Sequence, residues 1–274
     1  MHLKLSIQYD GTGFSGSQLQ PNGRTVQGEL EAALERLAGK PVRVALAGRT
    51  DAGVHAWRQV AGFDFPEKPG LDSPRALRSA LNGVLPHDVA VTGAEIAPEG
   101  FHPRFSATRR AYRYLLWHSP SPSPLLGRYS LQVRGSLHTE AMSRAVTLLE
   151  GEHDFAAFAG SGMGVPGDEG DEGPSTVRTV YLARMHRLDP AANIWAWDAP
   201  IASGTPGEGA LWAIDLVANA FLPQMIRTIV GTLLEVGRGK RTVESISELI
   251  ESRDRRNAGE TARPHGLCLL WVEY

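Results

Sequence analysis

Residues 47–56 read Ala47-Gly48-Arg49-Thr50-Asp51-Ala52-Gly53-Val54-His55-Ala56. A strand expected over 41–47 runs into this segment, and a second, expected over 58–65, leaves it. Glycines at 48 and 53 bracket Arg49 and Asp51, and glycine accepts backbone angles and close approaches that a side chain forbids. Such a loop can hold the Asp51 carboxylate against a ligand, with Arg49 two residues away to keep it ionised and oriented. The plainer alternative is a turn, since Asp near Gly forms turns without any chemistry attached.

Outward from this loop, strand and helix signals alternate. Leu3, Leu5, Ile7 and Tyr9 recur every second residue and predict a half-buried opening strand. Thr25 is a plausible N-cap for a helix whose stripe is Val26, Leu30, Ala33, Leu34 and Leu37, with Gly39 as its stop. Ser73-Pro74 opens another helix, and a strand is expected over 88–96. Beyond it a strand at 111–117 precedes the Pro/Ser-rich linker 119–124. A helix over 139–150, closed by Gly151, leads to a glycine-rich stretch at 160–174 that carries Asp168, Glu169, Asp171 and Glu172 and reads as a flexible loop. Strands follow at 177–187, 193–198 and 210–218. Met225, Ile226, Ile229, Val230, Leu233 and Leu234 mark a helix over 222–236. Another helix is expected over 242–252, and LCLLWVEY closes as a buried strand. The pattern is α+β, in two similar halves, 1–106 with the Asp51 loop and 107–274.

Bulk properties exclude some classes. No run approaches the roughly 18–20 apolar residues of a bilayer span, and the opening residues lack the apolar block of a signal peptide, so a cytoplasmic protein is expected. Cys268 is the only cysteine, which rules out an internal disulfide or a Cys-based zinc site and reads as a small buried hydrophobe. The 28 Lys and Arg against 30 Asp and Glu do not announce a nucleic-acid binder. Bases nevertheless cluster at Arg104, Arg109, Arg110 and Arg113, at Arg238, Lys240 and Arg241, and at Arg253, Arg255 and Arg256. Local fields of that kind attract phosphates, although any one cluster also reads as a solvated face.

The segment 48–56, GRTDAGVHA, resembles the catalytic loop of the tRNA pseudouridine synthase A family, which acts at positions 38 to 40 of tRNA. Further stretches resemble that family in the same order: Tyr9-Asp-Gly-Thr-Gly-Phe14, Thr25-Val-Gln27, Ala80-Leu-Asn82 with Leu85-Pro86 and Asp88-Val89, and Phe101-His-Pro-Arg-Phe-Ser-Ala107. After them come Tyr112-Arg-Tyr114, Gly151-Glu-His-Asp-Phe155, Arg178-Thr-Val180, Ala218-Asn-Ala-Phe-Leu222, Met225-Ile-Arg227-Thr-Ile-Val-Gly231 and Gly266-Leu267.

The resemblance implies a pseudouridine-synthase fold with antiparallel sheets around a central basic cleft and Asp51 at its floor. It implies that Asp51 acts at the ribose C1′ or C2′, that Tyr112 aids removal of the C5 proton, and that Arg227 pairs with Asp51. Leu267 would pack on the target base. Arg49, His55, Arg104, Arg109 and Arg110 complete the substrate-binding candidates. No cofactor and no metal are implied, the partner is the anticodon arm of tRNA, and a homodimer is expected. From the residues alone, either Tyr112 or Tyr114 could be a core aromatic, Arg227 could snorkel, and His55 reads as structural because no orienting carboxylate is evident.

Three features depart from the family pattern. Ser17 stands where a tryptophan is usual, Pro223-Gln224 replaces a His-rich segment, and the acidic stretch 160–174 should sit away from an RNA footprint. Two rival functions remain. One is a catalytically silent tRNA-binding or folding protein on the same scaffold. The other is a small-molecule hydrolase with an aspartyl nucleophile, which would need a second acid or a metal site near Asp51.

Overall fold

The computed structural model describes residues 1–160, 175–189, 191, 193–198 and 209–274, so the acidic part of the stretch 160–174 lies outside the described residues. In chain order the strands are β1 His2–Tyr9, β2 Ala45–Leu46, β3 His55–Asp64, β4 Val89–Ile96, β5 Arg109–His118, β6 Leu131–Val133, β7 Gly151–Asp154, β8 Val177–Leu188, β9 Ala210–Ala218 and β10 Leu267–Glu273. The helices are α1 Val26–Ala38, α2 Pro74–Val84, α3 Thr139–Thr147, α4 Met225–Gly237 and α5 Ser245–Ser252. The architecture is α+β, and no helix of the described residues is long and apolar enough to cross a membrane.

The chain separates into two compact units, Met1–Arg110 with Cys268–Tyr274, and Ala111–Leu267. In the first, the strand order is β4-β1-β3-β10, and β2 lies on the same edge of β3 as β10. The inward residues of β1 are Leu3, Leu5, Ile7 and Tyr9, all essentially unexposed, as the alternation predicts. Burying an aliphatic side chain of this size contributes about 1.5–3 kcal/mol. Thr25 caps α1 by accepting the Gly28 N–H at 3.1 Å, and Gly39 ends it at φ 78°. Ser73 does the same for α2 with the Ala76 N–H, and α2 packs on β4 and α1. The strand expected over 41–47 shrinks to Ala45–Leu46. The cause is visible at Val44, whose N–H goes to Glu31 Oε1 and whose carbonyl accepts from Gln27 Nε2, so α1 side chains satisfy backbone that a ladder would otherwise hold.

The second unit has the order β5-β9-β8-β7, with β6 beside β5. Its main helix, α4, is buried nearly all round, which makes it an interior helix rather than an amphipathic one. Gly231 lets the segment ending at Ala262 run against it: a Cβ there would fall 1.7 Å from the Glu260 carbonyl oxygen. Four expectations need correction. The expected strand at 193–198 is a pair of turns, because the Asn193 side chain captures the Trp195 N–H and its carbonyl the Ala196 N–H. Helix α3 stops at Thr147, and Gly151, at φ 113°, opens β7 instead of closing the helix. Helix α5 begins only at Ser245, with Thr242 Oγ1 receiving its N–H. The sheets are also not wholly antiparallel, since β3 with β10 and β5 with β6 run parallel.

Candidate active site

The loop between β2 and β3 is held by the residues that follow β1. Thr50 donates its N–H to Ser17 Oγ at 2.8 Å and accepts the Ser17 N–H on its carbonyl at 3.0 Å. Its side-chain oxygen is 2.8 Å from the Tyr9 hydroxyl. Burial pushes the Tyr9 phenol up to about 12, against the opposing effect of the Thr50 hydrogen bond, so Tyr9 stays neutral and serves as a prop. Ser17, where the resemblance leads one to expect a tryptophan, is fully buried and bonds to the loop backbone.

Two glycines make this grip close. A Cβ on Gly11 would fall 2.0 Å from the Val54 carbonyl oxygen, and Gly16 lies at φ 103° beside the Thr50 carbonyl. On the other flank, Gln59 donates to the Gly48 carbonyl at 2.9 Å. Asp51 itself is partly exposed, and its carbonyl accepts the Val54 N–H in a tight turn. Arg49 is exposed.

His55 has the neighbour that the residues alone did not reveal. It is buried, its Nδ1 accepts the Gly11 N–H at 3.0 Å, and Asp10 Oδ1 lies 3.3 Å away. With Nδ1 accepting, a neutral ring carries its proton on Nε2, and the Asp10 contact becomes an ion pair only on protonation. The signal was the antiparallel register of β1 and β3, which sets Tyr9 opposite Ala56 and so brings Asp10 beside His55.

The arginine cluster divides. Arg104 is exposed, and Arg109 is half-exposed with Glu273 at 3.7 Å. Arg110 is buried, with one nitrogen donating to the carbonyls of both Ala47 (3.2 Å) and Arg104 (2.8 Å). That position corrects its expected role: it ties the root of the Asp51 loop to the segment after β4 and is not presented to phosphate. Arg113, counted in the same basic cluster, is wholly buried on Asp215.

In the second unit, Tyr112 is buried on β5 with its ring edge-on to Phe221 at 5.2 Å. Tyr114 is also buried and donates to the Arg263 carbonyl at 2.6 Å, and burial raises its pKa while Arg227 and Arg263 pull it down. Tyr114 is packed so closely that a Cβ on Gly266 would fall 2.6 Å from its ring. Arg227 sits in the first turn of α4. Its Nε donates to the Ala262 carbonyl at 2.8 Å, and its own carbonyl accepts the Ala262 N–H at 3.0 Å, which fixes the stem of the side chain. Leu267 is buried where β10 begins. Among the described residues no group of three or more His, Cys, Asp and Glu is arranged to hold a metal ion.

A buried scaffold that presents one carboxylate on a braced glycine loop defines the class to compare with, and a family model described as tRNA pseudouridine synthase matches residues 5–106 and 145–274. The chain belongs to this family, whose members are isomerases. Proteins named tRNA pseudouridine synthase A are similar over nearly its whole length. That of Chloroflexus aurantiacus is 44% identical, covering 99% of this chain and 88% of its own. That of Roseiflexus castenholzii is 42% identical, covering 100% and 90%, and that of Geobacter sulfurreducens 40%, covering 99% of each.

Proposed function

We propose that this chain isomerises uridine to pseudouridine at positions 38, 39 and/or 40 in the anticodon arm of tRNA, with Asp51 as the carboxylate that starts the reaction. The observation that carries the reading is the bracing of the Asp51 loop: Ser17 and Tyr9 at Thr50, Gln59 at Gly48 and Arg110 at Ala47 hold the backbone while Asp51 remains partly exposed. Preorganisation of this kind is what a group acting at a sugar carbon requires. Membership of the family and the likeness to relatives named for this activity support the same reaction.

Chemically, the N1–C1′ bond breaks with help from Asp51 acting at C1′ or at the C2′ side. The detached uracil turns and joins C1′ through C5. The C5 proton then leaves, aided by Tyr112, and N1 is protonated, so atoms and charge balance without oxidant or group donor. Arg227 pairs with Asp51. Arg49, Arg104 and Arg109 meet phosphates, Leu267 packs on the target base, and His55 supports the loop from beneath. Extrusion of the uridine costs a few kcal/mol, which stacking and phosphate contacts offset. The enzyme works without a cofactor, as a cytoplasmic homodimer on one tRNA.

The test is tritium release from unmodified tRNA labelled at uridine C5, for wild type and Asp51→Ala. Release by the wild type alone, with tRNA binding retained in the variant, is the expected result. Tight binding with no release by either protein would overturn the reaction and leave the silent tRNA-binding scaffold.

A further inference from the structure

Phe105 is 77% exposed, yet its loop is tied by several internal hydrogen bonds. The Ser106 N–H bonds to the His102 carbonyl at 2.9 Å, and the His102 N–H bonds back to Ser106 Oγ at 3.0 Å. His102 Nδ1 accepts the N–H groups of Arg104 and Phe105 at 3.2 and 3.3 Å. Pro103 is buried against Gly62, where a Cβ would fall 2.9 Å from its ring. The result is a Phe105 ring stacked on the imidazole of His102, 4.4 Å away and tilted by 29°, with the Arg104 guanidinium over the ring, 5.8 Å from its centroid. Single exposed apolar side chains are ordinary on protein surfaces. A ring with an aromatic backing and an adjacent cation is less so, because it suits a flat, electron-rich partner carrying a negative charge nearby.

We propose that Phe105 is a stacking platform for an unpaired nucleobase of the tRNA, with Arg104 on that nucleotide's phosphate; the inference rests on the tRNA reading above and adds a base-contacting subsite to it. Unstacked RNA bases are gripped through aromatic faces and arginine, and a phosphate is the anion that accompanies every base. The tie to the reacting loop is Arg110, whose single nitrogen holds the carbonyls of Arg104 and Ala47 together. A base seated on Phe105 therefore sits on a segment hydrogen-bonded to the root of the Asp51 loop. The platform registers the RNA relative to the target uridine, and is distinct from the pocket that receives that uridine.

Binding of unmodified tRNA to the full chain, measured by filter retention between 50 and 200 mM salt, tests this. Phe105→Ala and Phe105→Leu should weaken binding roughly 5- to 150-fold without changing its salt slope, and Phe105→Trp should restore it. Arg104→Ala should instead reduce the slope by about 0.7–0.9. Wild-type affinity in Phe105→Ala overturns the proposal. So does full restoration by Phe105→Leu, which would mark the patch as a plain apolar contact for a protein. In Phe105→Trp, tRNA should quench more indole fluorescence than in wild type, a readout that does not depend on the alanine variant folding. Binding is read without turnover, so a chain that grips tRNA through Phe105 but releases no tritium sinks the proposed reaction and leaves this inference standing.

Discussion

The guanidinium of Arg113 meets the carboxylate of Asp215 through two hydrogen bonds, at 2.7 and 2.9 Å, with neither side chain exposed. Arg184 adds a bond at 3.0 Å to the same carboxylate, and the remaining Arg113 nitrogen donates to the carbonyls of Ile194 and Ala196. Buried charge is tolerated here because every part of it is answered. Asp215→Ala should accordingly cost about 3–5 kcal/mol of stability, since it strands a buried guanidinium. Urea denaturation measures this, and a loss below 1 kcal/mol would show that water reaches the site.

The same cluster predicts a dependence on pH. Burial holds His186 below its ordinary 6.5, with Arg184 and Arg113 acting in the same direction and Asp215 opposing them, and burial lowers His265 likewise. The unfolded chain takes up these protons below 6.5 while the folded chain does not. Stability therefore falls as pH drops below 6.5 and levels off only under the folded-state values. Melting temperatures between pH 7 and 5 should show the decline, and His186→Gln should flatten part of it.

Gly11→Ala tests the bracing of the Asp51 loop. Its Cβ would have to displace the Val54 backbone. The loop would move by a sizeable fraction of an ångström, with a stability loss of about 1–3 kcal/mol. Single-turnover tritium release should fall by up to about 100-fold while tRNA affinity changes little. Unaltered release would mean that the loop's position does not govern the chemistry.

Tyr112 and Tyr114 should respond oppositely to loss of the hydroxyl. Tyr114→Phe removes the bond to the Arg263 carbonyl and should cost about 0.5–1.5 kcal/mol of stability. Tyr112→Phe should slow tritium release by about 10²- to 10⁴-fold. The reverse pattern, seen in melting curves and rates side by side, would exchange their roles.

Legibility followed the range of the interactions. Helices α1 and α2 could be read because Thr25, Ser73, Pro74 and Gly39 act on residues within one turn. The alternating β1 was readable for the same reason. Residues 193–198 misled, since Ile194, Trp195, Ala196 and Trp197 are apolar enough for a strand, while Arg113, 81 and 83 residues earlier in the chain, claims the carbonyls of Ile194 and Ala196. The Asp51 loop was found through its motif. Its bracing by Ser17, Arg110 and the Asp10–His55 neighbourhood was not, because each depends on which strands lie side by side. Arg110 and Arg113 looked like a phosphate grip because β5 is buried on both faces over most of its length, which erases the alternation that tells inside from outside.

Strand β10 has a consequence for how the protein is made. It pairs with β3 at His55 and Ala56, its Glu273 carbonyl accepts the Thr108 N–H, and the Tyr274 hydroxyl just after it donates to the Pro103 carbonyl, so the unit that carries Asp51 is finished by residues 268–274. All of Ala111–Leu267 is translated in between, which takes on the order of 10–30 s at typical ribosome speeds. During that interval the edge of β3 beside His55 lacks its last strand. The nascent chain thus exposes an unpaired strand edge next to the Asp51 loop until residues 268–274 have been made.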